Sequence, residues 1–404
     1  MKSEWKVYSV QELIDLDMLE EPMDGNHGGI HPKSSDYVSS GVPFIMANNL
    51  SNGKVDYDNC AFISEQQATT LRKGFAHPGD VLLTHKATIG RTAIVGDEYD
   101  TIILTPQVTY YRVKHGISNR YLKYYFDSSE FQQTLSNWAG SGSTRAYLGI
   151  TAQRKLPIVL PPMETQEKIA GLCGALDEKI YLNNAINNNL EQQAQAIFVN
   201  EFLSLQSLPD GWKKASLIDI ANYLNGLAMQ KYRPSAEEIG IPVLKIKELR
   251  QGCCDDNSEL CSPSIKSDYI IHDGDVIFSW SGSLLVDFWC GGVCGLNQHL
   301  FKVSSIKYDK WFYYAWTKHH LDRFIAVAAD KATTMGHIKR DELAKAEVLI
   351  PNEADYKRIG ALLQPIYDLI ISNRIENKKL AETRDSLLPK LMSGEIDMSE
   401  VDYE

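Results

Sequence analysis

KIAGLCGALDEKIYLNNAINNNLEQQAQAIF, residues 168–198, and RIGALLQPIYDLIISNRIENKKLAETRDSLL, residues 358–388, decide the fold. The two stretches run without a gap at a constant offset of 190. Ile169, Cys173, Leu176, Ile180, Asn183, Asn187, Leu190, Ala194 and Ile197 recur at alternating steps of four and three. Ile359, Leu363, Ile366, Ile370, Asn373, Asn377, Leu380, Arg384 and Leu387 do the same. That spacing keeps one stripe of a helix facing a partner through about four heptads. Asn183 and Asn187, like Asn373 and Asn377, place polar layers in the seam, which typically fix register. Two such helices in one chain, with a whole domain between them, pack most simply on each other; antiparallel packing would relate the halves by a pseudo-twofold axis. About 40 residues at ~1.5 Å rise give roughly 60 Å per helix, enough to hold two domains apart. Pro365 predicts a local kink or a break in the second helix.

The rest of the chain is also written twice. Trp5-Lys6 returns as Trp212-Lys213, each followed by a stretch that reads as a short helix. Gly41-Val-Pro43 returns as Gly240-Ile-Pro242, and Pro78-Gly-Asp80-Val81 as Asp273-Gly-Asp275-Val276. Gln107 matches Gln298, and Ile158-Val-Leu-Pro161 matches Val348-Leu-Ile-Pro351. The offset falls from 207 through 199, 195 and 191 to 190, so the extra loop residues lie in the first copy. The largest drop spans DGNHGGIHPKSSDY at 24–37. Loops that vary on a constant scaffold commonly carry recognition. VLLT at 81–84, TAIV at 92–95, TIIL at 101–104 and VTYYRV at 108–113 read as strands, whereas 120–138 and its counterpart 310–329 read as helical. The fold class is α/β (α+β): globular domains at 1–160 and 206–350, and helical segments at 161–205 and 351–404, the last with a C-terminal tail.

Hydrophobic residues are 44% of the 404 and charged residues 23%, the balance of a globular protein. Neither a signal-peptide pattern nor a span of about 20 apolar residues is visible, so a cytoplasmic setting without membrane contact is expected. The net charge of −11 is located unevenly. Residues 163–203 carry −4 and 353–404 carry −4, leaving −3 for the globular parts, where a basic face remains compatible with nucleic acid. The seven cysteines form no C-x-x-C pair. Cys290 and Cys294 alone have a spacing that suits a metal; buried free thiols are the expected reading, with no metal.

Leu160-Pro-Pro162 with Glu164 and Gln166, Ala194-Gln-Ala-Ile-Phe198, and Arg384-Asp-Ser-Leu-Leu-Pro-Lys-Leu-Met-Ser-Gly-Glu-Ile396 stand in a duplicated order. With them go Gly-Asp-Val at 79–81 and 274–276, Asn297-Gln298-His299 and Ser141-Gly-Ser-Thr144. Over essentially the whole chain these resemble the specificity subunit of type I restriction-modification systems. The second helix departs from that pattern, opening with Pro351-Asn352-Glu353 and Tyr356. The resemblance implies two target-recognition domains separated by an antiparallel helical coiled coil, each reading half of a bipartite, asymmetric double-stranded DNA site. It further implies that the helices set the spacer and dock two methyltransferase subunits, and that restriction-translocase subunits complete the complex. S-adenosylmethionine, ATP and Mg would then sit on those partners, with no cofactor on this chain.

Asn and His side chains can pair with base edges, and Lys and Arg with guanine or phosphate. In the first domain the candidates are Asp24, Asn26, His27, His31, Lys33, Asn48, Asn49, Lys86, Arg91, Ser143 and Arg145. In the second they are Asn225, Gln230, Lys231, Tyr232, Lys245, Lys247, Arg250, Ser281, Lys331, Thr333 and Thr334. Gln298 and His299 read instead as hydrogen bonders in a strand, and Asp80 and Asp275 as turn residues bonding their own backbone. The chain has no G-x-x-x-x-G-K-[ST] loop, and its only Pro-Pro pair, Pro161-Pro162, lacks the Asp/Asn and aromatic neighbours of an adenine methyltransferase. A non-catalytic recognition subunit is the expectation. A DNA-modifying enzyme with an unrecognised site and a protein-only coiled-coil scaffold are the alternatives.

Overall fold

The computed structural model describes residues 5–140, 146–330 and 340–398. Two compact units divide them: Lys179–Ala381 form one, and the described residues up to Glu178 and from Glu382 onward form the other. The first long helix, Met163–Phe198, and the second, Glu353–Met392, each contribute to both units.

The units repeat one scaffold. Lys6–Ser9 pairs antiparallel with Pro157–Leu160, as Lys213–Ser216 does with Glu347–Ile350, so each domain closes its two ends on each other. The tryptophan-lysine motif therefore opens a strand, and the helix expected directly after it begins four residues later. Ser9 caps that helix through its Oγ, with Glu12 returning the bond to the Ser9 backbone, and Ser216 with Asp219 repeats the box. The central sheet places Val81–Lys86 between Val108–Tyr111 and Thr88–Ile94, with Met23–Asp24 at one edge. Its counterpart places Val276–Ser279 between Leu300–Ser304 and Leu285–Phe288, with Asn222–Asn225 at the edge. A second sheet sets Val42–Ile45 parallel to Ile102–Leu104, and in the other unit Ile241–Leu244 parallel to Cys294–Leu296.

The Gly-Asp-Val turns behave as the sequence indicates. Asp80 accepts the His77 N–H at 2.8 Å and Asp275 accepts the His272 N–H at 2.9 Å. Each aspartate also holds a cation, Arg112 or Lys302, at 2.8 Å. The helical stretch 120–138 divides at Ser128, whose extended backbone ends Asn119–Asp127 and caps Ser129–Trp138. Its counterpart divides likewise into Lys310–His319 and Leu321–Asp330.

Both long helices enter both cores. Ile169, Ala170 and Cys173 of the first and Leu388, Leu391 and Met392 of the second pack with Tyr121, Phe126 and Ile158. In the other unit Ala194 and Phe198 meet Ile359, Leu363, Tyr367 and Ile370 around Phe312 and Trp316. Leu176, Ile180, Leu190, Ile366 and Leu380 are half-buried, so the dry part of the seam is narrower than the heptad stripe. Within Lys179–Ala381, Asn183 donates to Asn377 at 2.8 Å and to Glu376 at 2.7 Å, Asn373 donates to Asn187 at 2.9 Å, and Arg358 grips Glu201 with both nitrogens. Partner numbers fall as the first helix advances, which makes the pair antiparallel. In the other unit Arg384 reaches Asp177 at 2.5 Å.

The second helix runs unbroken through Pro365, against the break the sequence allowed. Leu363, Tyr367 and Ile370 are buried around it. Three such side chains at about 1.5–3 kcal/mol each exceed the ~3 kcal/mol cost of an interior proline.

Asn187→Leu is expected to lower stability by about 1–3 kcal/mol, because it leaves the buried Asn373 amide without its acceptor. Asn187→Leu with Asn373→Leu is expected to recover most of that loss in denaturant unfolding. A double variant weaker than the single one would contradict the pairing.

Candidate nucleic-acid interface

Position 24 ends a strand, and the chain then leaves the sheet as the loop 25–36. Gly25 makes the exit possible: a Cβ there would lie 1.9 Å from the Leu104 carbonyl oxygen. The second domain repeats the device at Gly226, whose Cβ would lie 2.2 Å from the Asn297 carbonyl oxygen. Strand register makes Asn225 the equivalent of Asp24, since Asp24 opposes Thr109 and Asn225 opposes Phe301, which occupy matching places beside the central strands. Asp24-Gly25 and Asn225-Gly226 are thus one motif.

Several sequence candidates prove internal. Asn26 is 2% exposed; its amide donates to the Lys73 carbonyl at 2.6 Å and accepts from the Arg72 N–H at 3.0 Å. Asn49, also 2% exposed, accepts from Met46 N–H at 2.9 Å and donates to Asn59 O at 3.1 Å. Asp24 is buried between His27, whose ring nitrogen lies 2.6 Å from its carboxylate, and the Lys73 ammonium. Burial alone would raise its carboxyl, but the hydrogen bonds from Lys73 and His27 outweigh burial and hold it below the usual range. Ser281 is buried against His299 Nδ1 at 3.0 Å. These four hold loops in place rather than face solvent. His299 fulfils its expected role as a hydrogen bonder in doing so.

Others do reach the surface. His27 projects from Asp24 with its side chain about half exposed. Lys33, Asn48, Lys86 and Arg91 are exposed, while His31 is half-buried with its ring 5.5 Å from Phe44. Arg91 also reaches the Ala47 carbonyl, which places it beside Asn48. In the second domain Asn225, Gln230, Lys231, Tyr232, Lys247 and Arg250 are exposed. Lys245 and Lys247 are already paired, with Glu259 at 2.7 Å and Asp255 at 2.9 Å. Water screens pairs this exposed and leaves them weak, so a phosphate can displace the carboxylate. Ser143, Arg145, Lys331, Thr333 and Thr334 lie outside the described residues.

The structure adds residues that sequence reading passed over. Lys73, 49 positions from Asp24, has no local signal. His85 and Tyr147 pack with ring centroids 5.8 Å apart, and the Lys86 ammonium lies 6.0 Å from the Tyr147 ring. In the second domain Trp280 donates its indole N–H to Asn225 at 2.9 Å. At the hairpin tips Ala87 has φ +64° and its equivalent Gly282 has φ +65°, a conformation that disfavours any residue with a Cβ. Cys290 and Cys294 belong to different cores, the second lying beside Cys254, so their spacing does not make a pair. Among the described residues no three metal-ligating side chains cluster, and no helix is long and apolar enough to cross a membrane.

The sequence profile described as type I restriction modification DNA specificity domain matches residues 2–192 and 209–382. The type I restriction enzyme MjaIX specificity subunit of Methanocaldococcus jannaschii is 26% identical over 93% of this chain and 91% of its own. The EcoKI specificity subunit of Escherichia coli is 23% identical over 88% of this chain and 82% of its own. Among solved structures, a type I restriction-modification S subunit from M. genitalium superposes with a TM-score of 0.54 at 12% identity, covering 96% of each chain, a likeness of fold.

Gly25→Ala and Gly226→Ala are each expected to destabilise the chain by more than about 2 kcal/mol, since a backbone carbonyl cannot yield as a side chain can. Ala87→Gly is expected to stabilise by about 0.5–1 kcal/mol by releasing the left-handed strain. Denaturant midpoints check all three, and a neutral Gly25→Ala or a destabilising Ala87→Gly would contradict the geometry.

Proposed function

The chain belongs to the family of type I restriction-modification DNA specificity domains, and from that premise we propose that its two domains read the two halves of a bipartite, asymmetric duplex DNA site. What supports this most is duplication with divergence: one scaffold occurs twice, yet equivalent positions carry Asp24 and Asn225, His85 and Trp280, or Lys86 and Ser281. Two copies of one reader would suit a symmetric target; two different readers suit an asymmetric one. Exposed His27, Lys33, Asn48, Lys86 and Arg91 supply donors for bases and charge for phosphates in one half, with Asn225, Gln230, Lys231, Tyr232 and Arg250 in the other.

Methyltransferase subunits, two in number, and restriction-translocase subunits supply the chemistry in this reading, with S-adenosylmethionine, ATP and Mg bound on them. The acidic long helices suit contact with those proteins better than with DNA. Work on DNA places the complex in the cytoplasm.

With its methyltransferase partner, the chain is expected to bind its target at least ~10³-fold more tightly than random DNA, with affinity falling steeply as salt rises. Equal binding of both DNAs at every salt concentration would leave only a scaffold. DNA cleavage or methylation by the purified chain alone would mean an enzyme. Replacing residues 24–33 is expected to change the methylated sequence in one half-site only, as methylation-sensitive long-read sequencing would record.

A further inference from the structure

We propose that His85 with Asp24, and Trp280 with Asn225, are equivalent positioning pairs that lock each domain's recognition loop to its central hairpin and so set that loop's base preference. The inference rests on the DNA-reading function above. Counting along the central strands from Val81 and Val276, which open them after the Gly-Asp turns, brings His85 and Trp280 to one place in the scaffold. Asp24 and Asn225 share the facing place, each one residue before the glycine where the loop leaves the sheet. The two domains therefore join loop root to hairpin at the same point with different chemistry.

In the first domain His85 is fully buried. Its Nδ1 is 2.8 Å from Thr109 Oγ1, and its Nε2, 4.0 Å from the Asp24 carboxylate, has no hydrogen-bond partner among the described residues. Burial depresses the imidazole to about 4, so the ring is neutral at pH 7. With Thr109 donating to Nδ1, the Nε2–H faces Asp24. The carboxylate in turn binds Lys73 and orients His27 toward solvent. Displacing His85 removes the wall behind Asp24, and His27 loses its fixed direction.

In the second domain the Trp280 ring stacks on Phe301 at 5.6 Å, and its Nε1–H reaches Asn225 Oδ1 at 2.9 Å. An indole N–H only donates, so the amide oxygen must face Trp280. The Asn225 amino group is thereby turned to its other side, where it lies 3.4 Å from the Gly226 carbonyl. Without that N–H the exposed amide is free to flip, exchanging donor for acceptor toward DNA.

Selection from a library of randomised DNA duplexes, by the full chain assembled with its methyltransferase partner, tests the proposal. The variants are His85→Phe, which keeps the ring and loses both nitrogens, His85→Gln, which keeps a donor, and Trp280→Phe. Thermal melts of each accompany the selection. The wild type is expected to select a two-part motif. His85→Phe is expected to reduce the preferred-base enrichment about tenfold in one half, and Trp280→Phe in the other, the scale on which one base contact discriminates. His85→Gln is expected to retain more of the preference than His85→Phe. Unaltered motifs from both phenylalanine variants, or equal broadening of both halves by each, would overturn the proposal. A wild type that selects no motif would overturn the DNA-reading function and this inference together.

Discussion

Neither compact unit closes its core without both long helices. Ile169, Ala170 and Cys173 need Leu388, Leu391 and Met392, although more than 200 residues separate them in the chain. Ala194 and Phe198 likewise need Ile359, Leu363 and Ile370. The register between the helices is therefore a condition on each domain's own packing. An apolar seam alone would tolerate sliding by a heptad. The Asn183–Asn377 and Asn187–Asn373 pairs remove that tolerance, because a slipped register leaves buried amides without partners. The same condition accounts for the constant 190-residue offset of the helices, since an insertion in either would misalign the seam beyond it.

On that fixed frame the loops are free to differ. The order of the four strands around Val81–Lys86 and Val276–Ser279, the aspartate turns and the glycine exits are shared by the two domains. The side chains at the loop roots are not shared: a carboxylate held by an ammonium and an imidazole in one, an amide held by an indole in the other. Such a division lets base preference change in one half while the scaffold of the other is untouched. It also explains how an acidic chain can serve DNA, since the negative charge is concentrated in the helical segments.

The helices and the repeat were legible because periodicity and constant offset survive sequence divergence. The strand 6–9 was less so: four residues of alternating pattern beside a capped helix carry little signal. In the sequence Pro365 points to a break, because the buried neighbours that offset its cost are set by the fold and not by the local pattern. The site was legible by region and not by residue. Asn26, Asn49 and Asp24 carry the polar side chains expected of readers, but the two asparagines satisfy backbone donors and acceptors inside a loop and Asp24 binds the Lys73 and His27 side chains, and only burial separates these uses from reading. Lys73 and His85 reach Asp24 from distant positions, so no local pattern announces them. One signal was available: Asp24-Gly25 and Asn225-Gly226 share the acid-or-amide before glycine, at an offset of 201 that falls between the anchors at 207 and 199.

One chain carries two different readers, each of them closed by both long helices. Methylation-sensitive long-read sequencing of DNA from cells carrying the complete system tests this most directly. Methylation is expected at one motif made of two different specified halves separated by a gap of constant length. A single continuous motif, two identical halves, or a gap that varies from site to site would contradict it.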